Sequence, residues 1–188
     1  MKINCFDILA PFYDLFIAIF RRRIPAKIFR CLKPGEKDVI LDLGGGTGYN
    51  SRRMVRDRQF LIVFDISLEM LKRARKYKNI HLVQGDARHL PFKEKSFDII
   101  MAVDSLHHIQ DYSGVLREVR HTGRSKFFAA EFYGMKPMGK IFTGLERLLM
   151  SVSYKSPGDF FQEALHHGIT GDLKYISSYE YFFTGSIH

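Results

Sequence analysis

Short apolar runs alternate with amphipathic, charged stretches along most of the chain. Val39 to Leu43, Phe60 to Phe64, Ile80 to Val83, Phe97 to Val103 and Lys126 to Phe132 each read as a strand. They are nearly continuous apolar runs rather than alternating ones, the pattern of strands buried on both faces. Between them, Tyr49 to Asp57, Leu68 to about Lys78 and Tyr112 to Arg120 carry helical patterns. Strands joined in turn by helices or long crossovers predict a parallel sheet covered on both sides. Further on, Gly139 to Met150 and Phe160 to His167 predict two more helices. Leu173 to Phe183, rich in Tyr, Phe and Ile, predicts two late strands, an antiparallel pair at the sheet edge.

The expected architecture is one α/β domain over residues 1–188, Rossmann-like and doubly wound. Residues 1–35 read as a helical N-terminal cap over the strand ends, and residues 134–170 as a helical segment on the substrate side. No repeat, low-complexity stretch or composition shift marks a second domain. With 46% hydrophobic and 26% charged residues the balance is that of a globular protein. Cys5 and Cys31 are too few for a disulfide framework and lack metal-ligand spacing, so a reducing, cytoplasmic setting and no metal are expected. Ile8 to Phe20 is apolar but holds Pro11 and Asp14, and Arg21 to Arg23 follow it rather than precede it. That order is wrong for an export signal, and no run reaches the length of a membrane span. The net charge of +9 raises nucleic acid or anionic lipid as partners. It is spread over Arg21 to Arg23, Arg52 to Arg58 and Lys72 to Lys78, however, and the last two groups fall on expected helices with solvated faces.

The most informative segment is Val39-Ile40-Leu41-Asp42-Leu43-Gly44-Gly45-Gly46-Thr47-Gly48, a buried strand running into glycines and then a helix. Glycine at Gly44, Gly46 and Gly48 lets the backbone turn tightly and approach a ligand without a Cβ in the way. The spacing is G-x-G-x-G, not the dinucleotide G-x-G-x-x-G. Asp42 stands two residues ahead of the first glycine, where it would repel a pyrophosphate but suit an ammonium or sulfonium. A plain strand-to-helix turn is the alternative. Asp65 ends the second strand, placed to accept from both hydroxyls of a ribose. It competes with Ser67 for the N-cap of the next helix. Asp86, after the third strand, can meet an adenine amine or can stabilise its own turn.

Taken together, the residues resemble the class I S-adenosylmethionine-dependent methyltransferases, and within them the ubiquinone/menaquinone-biosynthesis-like, type 11 group. The resemblance is carried by Asp42 to Gly48, Asp65, Gly85-Asp86-Ala87 with Leu90-Pro91-Phe92, and Phe97-Asp98 leading to Leu106-His107-His108. The opening Phe6 to Asp14 is similar to that group's N-terminal helix, and the likeness spans about residues 5 to 133. It implies a seven-stranded sheet of order 3-2-1-4-5-7-6 with the seventh strand antiparallel. It also implies S-adenosylmethionine as cofactor and S-adenosylhomocysteine as product. Asp42 and Gly44 to Gly48 would hold the methionine part, Asp65 the ribose, and Asp86 with Ala87 the adenine. Ile66 and Met70 would line the adenine pocket, Val103 and Asp104 would border the reactive methyl, and Tyr13 would close the site.

Methyl transfer from a sulfonium needs mainly alignment of nucleophile, methyl and sulfur. A base is required only if the acceptor must lose a proton. His107 or His108 are the candidates, with a structural role as the alternative for either. Val103-Asp104-Ser105-Leu106 lacks the Pro-Pro-aromatic turn that grips an adenine or glutamine amino group. No cysteine lies near the fourth or fifth strand, which argues against cytosine C5 chemistry. A small acceptor remains, methylated at carbon, oxygen or nitrogen. The apolar N-terminus and Met135 to Met150 suit a prenylated quinone or other lipid-like acceptor, or else form the core side of cap helices. Leu15 to Phe20 with the nearby arginines allow peripheral membrane contact. The rival readings are a nucleic-acid methyltransferase or binder, and a non-catalytic partner protein. The second draws on the shortened connection His121-Thr122-Gly123-Arg124-Ser125. Nothing in the sequence specifies an oligomer.

Overall fold

The computed structural model of the chain describes residues 24–53, 60–75, 80–132, 155–177 and 180–188. Most of the expected N-terminal cap, Tyr13, residues 134–154 and the second half of the expected 49–57 helix lie outside them. In chain order the described elements are α1 (Ile24–Leu32), β1 (Val39–Leu43), a 3₁₀ turn (Ser51–Arg53), β2 (Phe60–Asp65), α2 (Leu68–Ala74) and β3 (Ile80–Gln84). There follow β4 (Phe97–Val103), a 3₁₀ turn (Leu106–His108), α3 (Tyr112–Thr122), β5 (Gly123–Phe132), α4 (Pro157–His166), β6 (Ile169–Ser177) and β7 (Glu180–Ile187).

The strands form one sheet of order β3-β2-β1-β4-β5-β7-β6. β1 to β5 pair in parallel, while β7 runs antiparallel to both β5 and β6. Alternate side chains of each strand feed two separate cores. On one face Ile40, Leu61, Val63, Ile99, Met101 and Phe128 pack with Ile28 and Leu32 of α1 and Leu71 of α2. On the other, Leu41, Ile62, Ile100, Phe127 and Phe183 pack with Val115 and Val119 of α3 and Phe160 and Ala164 of α4. Burial on both faces is why the sequence shows continuous apolar runs there.

Several boundaries differ from the sequence expectation by a few residues, and two of the differences bear on the later half of the sheet. The shortened connection at 121–125 is shorter still than expected, because α3 ends at Thr122 and β5 begins at Gly123. Glycine makes this abutment feasible: a Cβ at Gly123 would lie 2.2 Å from Ile187 Cδ1 and 2.7 Å from the Val119 carbonyl. The late hairpin also runs from Ile169 to Ile187, longer than the 173–183 stretch. Edge strand β6 is mostly exposed after the buried Ile169, so Thr170-Gly171-Asp172 carry little apolar signal. Among the described residues no helix is long and apolar enough to cross a membrane.

Because β1 to β5 are parallel, their C-terminal tips share one edge of the sheet. Such an edge is where open α/β sheets bind ligands.

Candidate functional site

At the tip of β1 the chain enters the glycine turn with φ of +67° at Gly44, +55° at Gly46 and +69° at Gly48. The three glycines chosen from the sequence are thus all in the left-handed region that side chains disfavour. Gly44 meets a second demand, since a Cβ there would sit 2.5 Å from Ser105 Cβ. The amides of Gly44 and Gly45 both donate to the Phe64 carbonyl of β2, at 2.8 and 3.2 Å. The turn is therefore pinned across two strands.

Asp65 completes it. Its Oδ2 accepts from the Gly46 amide at 2.9 Å and its Oδ1 from the Ser67 amide at 2.8 Å. The helix cap belongs to Ser67, whose Oγ accepts from the Met70 amide. Asp65 is thus a brace between two strand tips rather than a cap.

Asp42 is buried on the α1–α2 face, where the Ser51 hydroxyl donates to its Oδ2. Burial pushes its carboxyl up to about 7, against the lowering effect of Ser51, and the nearby Asp65 charge pushes in the same direction as burial. A cation placed beside it would favour the ionised form. Ile66, next along, is 53% exposed despite being apolar, whereas Met70 behind it is buried. The Gln84 side-chain amide holds the Ile66 carbonyl at 3.1 Å.

Asp86 follows the turn reading in its visible contacts. Arg88 donates to it from its backbone amide at 3.0 Å and from its guanidinium at 2.9 Å, in a partly exposed pair. These hydrogen bonds from Arg88 hold the Asp86 carboxyl below the usual range. Ala87 is buried beside it.

At the tips of β4 and β5 lies a second constellation. Val103 is buried, and Asp104 takes φ +52° with its amide donating to the Ala130 carbonyl at 2.8 Å. Asp is among the few residues that tolerate that region. The Ser105 hydroxyl reaches back to the Leu43 carbonyl at 3.0 Å. Glu131 of β5, which the sequence reading did not single out, organises the whole loop. Its Oε1 accepts from the amides of Ser105 and Leu106, at 3.0 and 2.8 Å, and its Oε2 lies 2.5 Å from His107 Nδ1. Glu131 is 3% exposed and His107 7%. The available signal was an acid inside Phe127-Phe128-Ala129-Ala130-Glu131-Phe132, since buried carboxylates are rare unless paired.

The two histidines separate clearly. Their rings lie 4.0 Å apart, but burial, with the His107 charge second, pushes His108 down to about 2. His107 instead borders a recess whose other walls include Tyr112, Phe160 and Tyr181, with Lys155 beside them. The site residues described here thus fall into two groups that share the Ser105–Leu43 contact: Asp42, Gly44 to Gly48 and Asp65 in one, Asp104, His107 and Glu131 in the other. Asp86 stands beside the first.

A family profile for a methyltransferase domain matches residues 40–125. The demethylmenaquinone methyltransferase of Corynebacterium efficiens is 34% identical over 139 residues, covering 69% of this chain and 58% of the relative. That of Thermotoga maritima is 32% identical over 146 residues, covering 74% and 64%. The chain thus spans about three-fifths of the length of these curated relatives. A methyltransferase from Haloferax volcanii, solved in complex with the Trm112 methyltransferase activator, superposes over 100% of this chain and 99% of its own with a TM-score of 0.81. Its sequence identity is 17%, so this likeness concerns the fold.

Proposed function

We propose that the chain is a class I S-adenosylmethionine-dependent methyltransferase and that it methylates a small, apolar acceptor. One observation carries the cofactor assignment: the glycine turn, the buried Asp42 and the brace Asp65 meet at adjacent tips of β1 and β2. These groups fit the ligand's chemistry. Asp42 is a buried acid whose ionised form a cationic ligand would favour, and the left-handed glycines expose backbone rather than side chains. The exposed face of Ile66 offers an apolar seat for a flat ring. Asp65 would take the ribose through its carboxylate, and Asp86 the adenine amine in exchange for part of its contact with Arg88. When bound, the cofactor supplies the electrophilic methyl group on a leaving group that needs no activation.

The protein's share is then to align and to exclude water. Asp104 and Val103 stand where the methyl would face the β4 tip. The named function of the Corynebacterium and Thermotoga relatives supports a quinone-like, apolar acceptor. Among the described residues no site feature favours nucleic-acid binding or a purely non-catalytic role.

Calorimetry with S-adenosylmethionine tests the cofactor site. Asp65→Ala removes a charged acceptor of two amide bonds as well as the ribose contact. Bonds of that class contribute about 1.5–3 kcal/mol, so affinity should fall on the order of tenfold to a hundredfold. Equal affinity in wild type and variant would defeat the assignment.

A further inference from the structure

We propose that the outer edge of β6 binds a second copy of this chain, the two sheets joining antiparallel about a two-fold axis at Leu173. The proposal goes beyond the methyl-transfer reading and does not depend on it. The strand order leaves β6 at one end of the sheet and β3 at the other. An edge strand presents a row of backbone N–H and C=O groups ready to pair with another strand, and proteins blunt such edges with charge, proline or a bulge. From Ile169 to Tyr175 there is no proline, and the register with β7 is unbroken until the shift between Tyr175 and Ser177. The charges on this stretch are Asp172 and Lys174, opposite in sign and both exposed. β3, Ile80-His81-Leu82-Val83-Gln84, carries no such pair.

The charges select one register. A two-fold axis that continues one sheet into its copy stands perpendicular to the sheet and passes through a residue that faces itself. An axis at Asp172 sets that carboxylate against its own copy, and an axis at Lys174 does the same for the ammonium. Like charges directly opposite one another destabilise an antiparallel pair. An axis at Gly171 carries Lys174 past the start of β6 to Gly168, and one at Tyr175 runs the pairing into the register shift. An axis at Leu173 sets Asp172 against Lys174 and, by symmetry, Lys174 against Asp172. Only this register matches both charges.

The two faces of the strand agree with it. Side chains alternate along a strand, so Leu173 and Tyr175 share one face and Asp172 and Lys174 the other. Leu173 packs on the core that holds Phe160 of α4 and Phe183 of β7, so its face is the one that α4 covers. On that face the chosen register places Tyr175 opposite Gly171, an aromatic ring beside exposed backbone, a pairing that supports edge glycines. Tyr175 is 62% exposed, the most of any large apolar or aromatic side chain described, and Leu165, at the end of α4 that leads into β6, is 37% exposed. The perpendicular axis brings both α4 helices to this same face. Apolar contacts thus gather on one side of the joined strands and ion pairs on the other.

One strand pair with a helical rim is a small interface, so the dissociation constant should be roughly 1–100 μM. Sedimentation velocity of the full chain across that range should show a monomer–dimer equilibrium. Asp172→Lys or Lys174→Asp makes both ion pairs repulsive, and either should weaken the dimer about tenfold or more. Mixing these two variants in equal amounts restores both pairs in the mixed dimer, which should match wild type within about threefold. Residues that face each other across such an axis have Cα atoms about 4.5–5.5 Å apart, within disulfide reach. Leu173→Cys should therefore form a covalent dimer on oxidation beyond the wild-type level, while Thr170→Cys, away from the axis, should not. A wild-type chain that stays monomeric throughout overturns the proposal and leaves the edge to another protein's strand or another segment of this chain. A dimer indifferent to both charge reversals, or reversed variants that do not recover on mixing, overturns it by placing the contact elsewhere.

Discussion

At the tips of β1 and β2 the carboxylates bond over short separations: Asp42 with Ser51, Asp65 with Ser67, and Asp65 with Gly46 across 19 residues. At the tips of β4 and β5 the reach is longer. Glu131 returns 24 to 26 residues to the loop of Ser105 to His107, and the recess draws in Tyr112, Lys155 and Tyr181. The first region depends on backbone shape and the second on side chains brought together by helices and strands. Backbone shape demands particular residue types at fixed spacing, whereas an assembled pocket accepts its residues from anywhere that the fold delivers them.

The largest expected effect breaks the first region and spares the second. Gly46 stands at φ +55°, and a β-branched side chain there costs roughly 1–2 kcal/mol of backbone strain and also intrudes on the ligand's approach. Gly46→Val should lower S-adenosylmethionine affinity by about a hundredfold or more, ~2.7 kcal/mol. The bonds of Glu131 to the Ser105–His107 loop should be undisturbed, read as an unchanged imidazole resonance of His107. A shift of that resonance alongside the lost affinity would show that the two regions are one mechanical unit.

That contrast also explains what was legible in the sequence. Positions 39–43 and 97–103 emerged with their true bounds because strands buried on both faces must be apolar throughout. The glycine turn and Asp65 emerged because left-handed backbone and a strand-end acid leave a spacing behind. Glu131 did not, since its partners lie on another strand's loop and no short spacing links them. The start of β5 at Gly123 was hidden for a similar reason: the residue is needed there because of Ile187, 64 positions away. Asp86 was legible as an acid at a strand tip, but its bidentate engagement with Arg88 depends on rotamers that spacing does not encode.

A smaller effect tests whether Asp42 is tuned for a cation. Its folded carboxyl is raised from 3.8 to about 7 by burial, so between pH 4 and 7 the folded chain holds a proton that the unfolded chain has lost. Stability from this group is therefore full below pH 4, is lost as pH rises through 7, and is flat above. Binding a cation calls for the ionised form, so affinity for S-adenosylmethionine should weaken about tenfold per pH unit as pH falls below 7. Asp42→Asn should abolish that pH dependence and weaken binding at pH 8, while raising the melting temperature there. Calorimetry at pH 6 and 8 in two buffers of different ionisation enthalpy reads the proton release directly. A pH-independent wild type would remove Asp42 from the cation's contacts.

The smallest effect separates fold from ligand within the first region. Ser67 serves twice at the start of α2, its Oγ accepting from Met70 and its amide donating to Asp65. Only the first contact depends on the side chain. Ser67→Ala should therefore cost about 1 kcal/mol, the usual value of an N-cap, and lower the melting temperature by roughly 2–4 °C. Its amide still reaches Asp65, so S-adenosylmethionine affinity should change less than twofold. A tenfold loss would mean that the hydroxyl or the exact pitch of α2 is itself part of the ligand's seat. In that event Met70, one turn in and buried, would matter to the cofactor through helix position rather than through its own surface, and Met70→Leu would leave affinity intact where a shift of α2 does not.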